Sequence, residues 1–266
     1  MFKGIDVSKW QGIIDWEKSK SAGVKFAILR EGYGKKSPTQ MDKTFKANYE
    51  GAIKAGIPTG AYHYSYAESI NDAKLEAQFC LENIKDTKLE YPICFDIEDS
   101  ELLKLSTRTR TDICKAFCDT LEDAGYYAMI YCNTNWLKNY LFKDELLNKY
   151  DLWLAHWNVQ VPMFECGIWQ HSEQGKIGGI SGNVDLNISY KDYPKIIRDK
   201  GLNHLGSDSG SDSNQPVRTH TVVRGDTLWE ISKKYLGGGL KYTEIMKING
   251  LESTTIYPGQ VLKIDG

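Results

Sequence analysis

The stretch YPICFDIEDS, residues 91–100, decides how this chain is read. Tyr91 to Phe95 carry no charge and suit a buried strand, and the chain then runs straight into Asp96, Glu98 and Asp99. An apolar strand that ends in acids is what a parallel β/α barrel presents at the C-terminal ends of its strands, where such enzymes place their chemistry. Residues two apart on a strand share a face and rise about 3.3 Å each, so Asp96 and Glu98 are expected to project together with Cα atoms ~6.6 Å apart. Two carboxylates on one interior face repel, which raises the pKa of at least one of them. A carboxyl that stays protonated near neutrality can act as general acid while an ionised neighbour stabilises a developing cation, the pairing that glycoside hydrolysis requires. Asp99 is expected to cap a helix or lie in a surface ion pair.

The flanking pattern supports a barrel. Strands are expected at 4–8, 26–32, 59–66, 91–97, 127–133, 152–157, 167–170 and 183–188, with helices at 42–55, 70–84 and 107–124 and shorter ones after Trp136 and Lys191. In the third helix Ile113, Phe117 and Leu121 recur four residues apart. Strands separated by helices early and crowded together late imply an α/β protein, an irregular β/α barrel with reduced late helices. Two further acids, Asp6 in GIDVSKWQG and Asp185 in GNVDLN, are expected at or near C-terminal strand ends. Clustered carboxylates are also hard oxygen ligands, so a magnesium or calcium site is a second reading, behind a glycosidase. His63, His156 and His171 sit singly in strands without the spacing of a zinc site, and neither a phosphate loop nor a GxSxG elbow occurs. No metal or other cofactor is expected.

The chain has 266 residues, with 33 basic against 35 acidic and a net charge of -2, which gives no general drive toward nucleic acid or anionic lipid. Its 41% hydrophobic content excludes a largely disordered chain. The opening MFKGIDVSKWQG lacks the 7–15-residue apolar core of a signal peptide, and no stretch approaches the ~18–20 apolar residues of a membrane span. Synthesis in the cytoplasm without a signal peptide and no membrane insertion are therefore expected. Six cysteines, none in a CxxC pair, are expected to be buried and reduced. The Gly/Ser/Asp-rich stretch LGSDSGSDSNQP marks a flexible linker at 205–218 between domains at 1–204 and 219–266. Those domains carry 26 basic against 28 acidic residues and 6 against 5, so both are near neutral. The sequence specifies no oligomeric state.

Taken in order, GIDVSKWQG (4–12), GAYHYSY (60–66), FDIED (95–99), WQHS (169–172) and NVDLN (183–187) closely resemble the family 25 glycoside hydrolases, the N-acetylmuramidase lysozymes of bacteria and their phages. The resemblance covers about residues 1–200. It implies cleavage of the β-1,4 bond between N-acetylmuramic acid and N-acetylglucosamine in bacterial peptidoglycan. By position it makes Glu98 the general acid, Asp96 its assisting partner, and Asp6 and Asp185 the remaining acids of the site. Assistance by the substrate's acetamido oxygen, a direct carboxylate nucleophile and an inverting water all stay open. Tyr62 and Tyr64 match the cleft motif, Tyr131 and Trp157 fall near strand ends, Arg30 could meet a lactyl or peptide carboxylate, and Gln170 and Asn187 could donate to the sugars. His63 and His171 are read as structural.

Residues 219–266 resemble a LysM module with a β-α-α-β fold, a binder of N-acetylglucosamine-containing glycans. By position its groove would use Gly225, Asp226, Thr227, Leu228, Asn249, Gly250, Leu251, Ile256 and Tyr257. Asp226 or Thr227 also suits a helix N-cap, with Glu230 three residues past Thr227 as in a capping box. The whole implies a wall-anchored lysin, a phage or prophage endolysin acting after membrane disruption or non-classical release. A bacterial autolysin, a catalytically silent wall-binding protein and an enzyme acting on chitin or de-N-acetylated glycan are the alternatives.

Overall fold

The computed structural model describes residues 1–34, 37–205, 218–223, 225–236, 238–251 and 253–264. The chain forms two compact units, residues 1–208 and 209–266. Of the expected linker at 205–218, only Leu205 and Arg218 fall among the described residues.

The larger unit is a closed eight-stranded barrel. Its strands are β1 (Phe2–Val7), β2 (Phe26–Tyr33), β3 (Thr59–Tyr64), β4 (Ile93–Asp96), β5 (Ala128–Asn133), β6 (Asp151–Ala155), β7 (Ile168–Gly175) and β8 (Val184–Ser189). Helices α1 (Trp16–Ser21), α2 (Phe45–Lys54), α3 (Ile70–Ile84), α4 (Thr107–Asp123), α5 (Thr134–Asn139), α6 (Lys143–Leu147) and α7 (Tyr193–Asp199) accompany them. Side-chain caps start the long helices: Ser69 accepts the Asp72 N–H at α3, and Ser106 accepts the Thr109 N–H at α4. Ile113, Phe117 and Leu121 lie on the buried face of α4, as their spacing requires. The single turn and a half of α1, capped by Asp15, carries too few residues for a helical period and went unread. Helix α2 begins later than expected because Asp42 turns its carboxylate onto the N–H and hydroxyl of Thr44.

Neighbouring strands from β1 to β7 pair in parallel, but β8 is antiparallel to both β7 and β1. A parallel neighbour needs a crossover of a dozen or more residues, and the glycine-bearing connection 176–183 is too short to supply one. The consequence is functional. Asp185 stands at the N-terminal end of β8, not the C-terminal end expected, yet lies in register with Asp6 at the mouth where the parallel strands end.

Alternation along the strands fills the barrel in two layers. Phe26, Ile28, Cys94, Met129, Trp153 and Ile168 form a buried apolar cluster. Gly4 permits this packing, because a Cβ there would sit 2.4 Å from the Phe26 ring. One pleat further along, Asp6, Arg30, Tyr62, Asp96, Tyr131 and Gln170 form a polar layer at the mouth. All six cysteines are free and buried. Among the described residues no helix is long and apolar enough to cross a membrane.

The smaller unit pairs β9 (Thr219–Thr221) antiparallel with β10 (Val261–Lys263), with α8 (Leu228–Leu236) and α9 (Tyr242–Ile248) between them in sequence. Val222, Leu228, Ile231, Ile245, Leu262 and Ile264 form its core. Thr227 caps α8 by accepting the Glu230 N–H. Asn249 ties the end of α9 to β10: its amide donates to Ile245 O and Lys263 O, at 2.8 and 2.7 Å, and its carbonyl accepts the Lys263 N–H at 2.8 Å. Replacing Asn249 with Ala removes these bonds and is expected to destabilise the small unit by about 1–2 kcal/mol. Calorimetry of the full chain should show the lower-enthalpy transition moving down while the barrel transition stays in place.

Candidate active site

Four carboxyl groups converge at the barrel mouth. Asp96 ends β4, and the chain turns there, so that Asp96 Oδ1 accepts the Glu98 N–H at 3.3 Å. Glu98 therefore stands just beyond the strand and not on its face, as the two-residue spacing had implied. Its Oε1 accepts the N–H of Asn133, the residue that ends β5 and caps α5. Burial pushes the Glu98 carboxyl up to about 7, against the lowering effects of the Asn133 N–H and a hydrogen bond with Tyr131. Asp96 is raised well above the usual carboxylate range, first by burial and then by the charge of Glu98.

The other two acids share a proton across the β1–β8 seam. Asp6 Oδ2 accepts amide N–H groups from Gln170 at 2.9 Å and Asn187 at 2.7 Å. Burial raises Asp6, and these donors together with Asp185 oppose the shift. Burial, the charge of Asp6 and a hydrogen bond to it raise Asp185 to about 8. Because Asp6 is surrounded by donors, the retained proton belongs on Asp185, which donates it to Asp6.

Gln170 and Asn187 were expected to donate to sugars, but both are buried and spend their amide N–H groups on Asp6. Their carbonyl oxygens are used as well. Gln170 accepts from Tyr131 Oη at 3.1 Å and Trp157 Nε1 at 3.0 Å, and Asn187 accepts from Trp153 Nε1 at 2.7 Å. Tyr131 is thus a buried link between Glu98 and Gln170, whereas the Trp157 ring remains partly exposed at the rim.

Arg30 is also committed internally: its Nε and Nη2 stand 2.8 and 2.7 Å from Asp42 Oδ2, which also accepts the Lys9 N–H at 3.0 Å. Tyr62 packs edge-on to Trp153 inside the mouth, while Tyr64 donates to Asp99 Oδ2 at 3.2 Å. Asp99 Oδ1 accepts the Glu101 N–H and so caps the following 3₁₀ turn, Ser100–Lys104. Beside Tyr64 opens a cleft of 370 Å³ lined by Lys9, Trp10, Arg30, Tyr33, Tyr64 and Tyr66. Trp10, Tyr33, Tyr66 and Asp42 were missed as site residues. Trp10 lay inside a recognised motif, and Tyr66 closed another, so their signal was present.

Among the described residues, the group with donor atoms spaced for a metal is Glu31, His63 and Cys80, whose ligand atoms lie within 4.8 Å of one another. All three are buried. His63 Nδ1 is 2.5 Å from Glu31 Oε1, and Asn83 donates to Glu31 Oε2 at 2.6 Å, so an ion-pair network already occupies this carboxylate. Among the described residues no three acids of the mouth bring their oxygens as close together as this. His171 is half-buried on β7, its pKa lowered by burial.

In the small unit, Gly225 and Gly250 adopt positive φ, 100° and 62°. Asp226 Oδ2 accepts the Val223 N–H and pairs with His220 Nε2 at 2.6 Å. Leu228 is core, Leu251 and Ile256 are partly buried against that core, and Asn249 is consumed by the bonds to β10. Leu228 and the side chain of Asn249 thus belong to the frame, whereas Gly225, Thr227 and Gly250 are exposed. Tyr257, in contrast, is exposed.

A closed β/α barrel whose mouth gathers buried, proton-retaining carboxyl groups beside an aromatic cleft has the arrangement of a barrel glycoside hydrolase. Residues 5–180 match the model of Glycosyl hydrolases family 25, and the chain belongs to that family; residues 220–265 match the LysM domain. It is 31% identical over 201 residues to Lysozyme M1 of Streptomyces globisporus, a match covering 70% of this chain and 66% of that protein, just under two thirds of its length. The crystal structure of the bacterial lysozyme from Streptomyces coelicolor is similar with a TM-score of 0.66 and 28% identity, over 77% of this chain and 98% of that one. The CTP1L endolysin is similar with a TM-score of 0.65 and 29% identity, over 74% and 69% of the two chains.

The proton held by Asp185 makes stability depend on pH. Between about pH 4, where the unfolded carboxyl ionises, and about 8, the folded state binds a proton that the unfolded state has lost. Unfolding free energy from this group therefore falls as pH rises through that window. Asp185→Asn keeps a donor toward Asp6 and removes the titration. Urea midpoints of the two proteins are expected to coincide near pH 4 and to favour the variant increasingly toward pH 8.

Proposed function

We propose that the chain is a modular peptidoglycan hydrolase that cleaves the β-1,4 bond between N-acetylmuramic acid and N-acetylglucosamine, with Glu98 as general acid and Asp96 assisting. The observation that carries this reading is the Glu98 carboxyl, raised to about 7 by burial and set beside Asp96 at an aromatic-walled mouth. A proton donor with a pKa near the working pH is both charged with its proton and willing to release it to a leaving oxygen. Asp96 then positions the 2-acetamido group or faces the positive anomeric centre. Asp6 and Asp185 hold the seam of the site, and Tyr62, Tyr64 and Trp157 offer rings to the sugar faces. The LysM unit anchors the enzyme to its insoluble substrate, raising the local concentration of bonds to cut.

Likeness to the CTP1L endolysin and the pairing of a lysozyme-like barrel with a glycan-binding module support a phage or prophage endolysin, reaching the wall after the membrane is breached. Appearance of the protein in the medium of intact, non-induced cells would favour an autolysin instead.

Glu98→Gln is expected to lower the rate at least ~100-fold with the fold retained, because general acid catalysis contributes roughly 10²–10⁴. Mass spectrometry of digested peptidoglycan should find muramic acid at the new reducing ends, and near-normal turnover by the variant would remove Glu98 from this role. In the native protein the rate should decline above about pH 7 as Glu98 loses its proton. Deleting 219–266 should leave hydrolysis of soluble fragments intact while weakening co-sedimentation with cells; undiminished co-sedimentation would refute the anchor.

A further inference from the structure

The cleft beside Tyr64 contains two cations of unequal availability. Arg30 is nearly buried and ion-paired with the buried carboxylate of Asp42. Lys9 is not: among the described residues no carboxylate pairs with its ammonium, which lies 4.9 Å from the ring centroid of Trp10 and 5.7 Å from that of Tyr33. Aromatic rings hold a cation without neutralising it, so its charge stays available to an incoming anion. The backbone below is fixed. Ser8 and Gln11 form a reciprocal capping box around the 3₁₀ turn Lys9–Gln11. The Lys9 N–H is bonded to Asp42 Oδ2, the oxygen that also holds Arg30. Asp42 Oδ1 in turn accepts from Thr44 N and Oγ1, so Asp42 joins the loop after β1 to β2 and to the start of α2. A lysine serving only solubility would need none of this placement.

We propose that Lys9 forms a carboxylate-reading subsite: its ammonium pairs with a carboxylate carried on the substituent of a muramyl residue, while the Trp10 and Tyr66 rings pack against the aliphatic part of that substituent. Trp10 and Tyr66 are both exposed and line the same cleft. The inference rests on the muramidase reading and deepens it by naming the chemical feature of the glycan that is selected. It also moves the expected anion contact from Arg30, which is nearly buried and ion-paired with Asp42, to Lys9, which is not. Two sources present this chemistry: the lactyl carboxylate of peptide-free glycan, and the free carboxylates of a stem peptide, where the lactyl group itself is tied in an amide.

Three soluble glycans separate these sources: peptide-free chains, chains bearing stem peptides with free carboxylates, and the same peptide-bearing chains with those carboxylates amidated. For the native full-length protein, kcat/KM is expected to be about fivefold higher on a carboxylate-bearing chain than on the amidated one, the effect of one half-buried ionic hydrogen bond. The difference should lie in KM, since the contact is remote from the bond that breaks. Whichever carboxylate-bearing chain is preferred identifies the source. Lys9→Met keeps the stem over the rings and removes the charge, and is expected to bring the chains to equal kcat/KM. Equal rates with the native protein, or an unchanged preference in Lys9→Met, would overturn the proposal. Calorimetric binding of the same glycans to Glu98→Gln reads discrimination without turnover. Absence of hydrolysis of all three chains by the native protein would instead count against the muramidase reading, while the binding measurement still decides the role of Lys9.

Discussion

The site depends on the closing of the barrel through Asp6. Its carboxylate lies on β1 where the parallel run meets the antiparallel β8, and one oxygen collects the amides of Gln170 and Asn187 while Asp185 opposes it across the ladder. An ionised carboxylate in so enclosed a position is tolerated only when surrounded by donors. Those donors come from β7 and β8, so the seam that closes the sheet and the electrostatics of the mouth are one arrangement. From Gln170 the connection continues through Tyr131 to Glu98, which links the acid on β1 to the acid after β4 through side chains fixed on neighbouring strands.

Placing four carboxyl groups in one mouth opposes folding at neutral pH, because each prefers water when ionised. The barrel contains this cost in two ways. Part of the charge is suppressed, with Asp185 and Glu98 retaining protons to about 8 and about 7. Asp96 is pushed the same way by burial and by Glu98, and the charge that remains is directed, since Asp6 accepts from fixed amides belonging to the frame. The apolar layer below, built on Phe26, Met129, Trp153 and Ile168, excludes water from one side and so causes the raised pKa values. Local destabilisation and proton-donor chemistry have the same physical origin, as expected where a protein departs from an apolar interior for function.

Much of this was legible from residues alone. Eight strands and the three long helices follow from apolar runs and four-residue spacing, and the acids Asp6, Asp96, Glu98 and Asp185 stand out because each adjoins such a run. What escaped depends on pairing direction and on partners distant in sequence. Strand polarity leaves no trace in β8 itself, so Asp185 was assigned to the wrong end of its strand although to the right mouth. Gln170 and Asn187 look like sugar ligands when read singly, and only the fold reveals that Asp6 claims both amides. Asn249 in the small unit behaves the same way, because its three bonds reach both the preceding turn of helix and a strand more than ten residues away.

Asp42 shows most clearly why a site cannot be read as a set of motifs. It falls outside every recognised segment, in a stretch that reads as the start of a helix, yet its side chain is completely buried and both oxygens are engaged. One oxygen pairs with Arg30, which resembled the anion-binding residue, and the same oxygen fixes the backbone of Lys9, which resembled an ordinary surface lysine. A single carboxylate thereby pairs with one of the two cations lining the cleft and fixes the backbone of the other. How that carboxylate is shared gives the two cations different surroundings, a difference that counting basic residues around the mouth does not reveal.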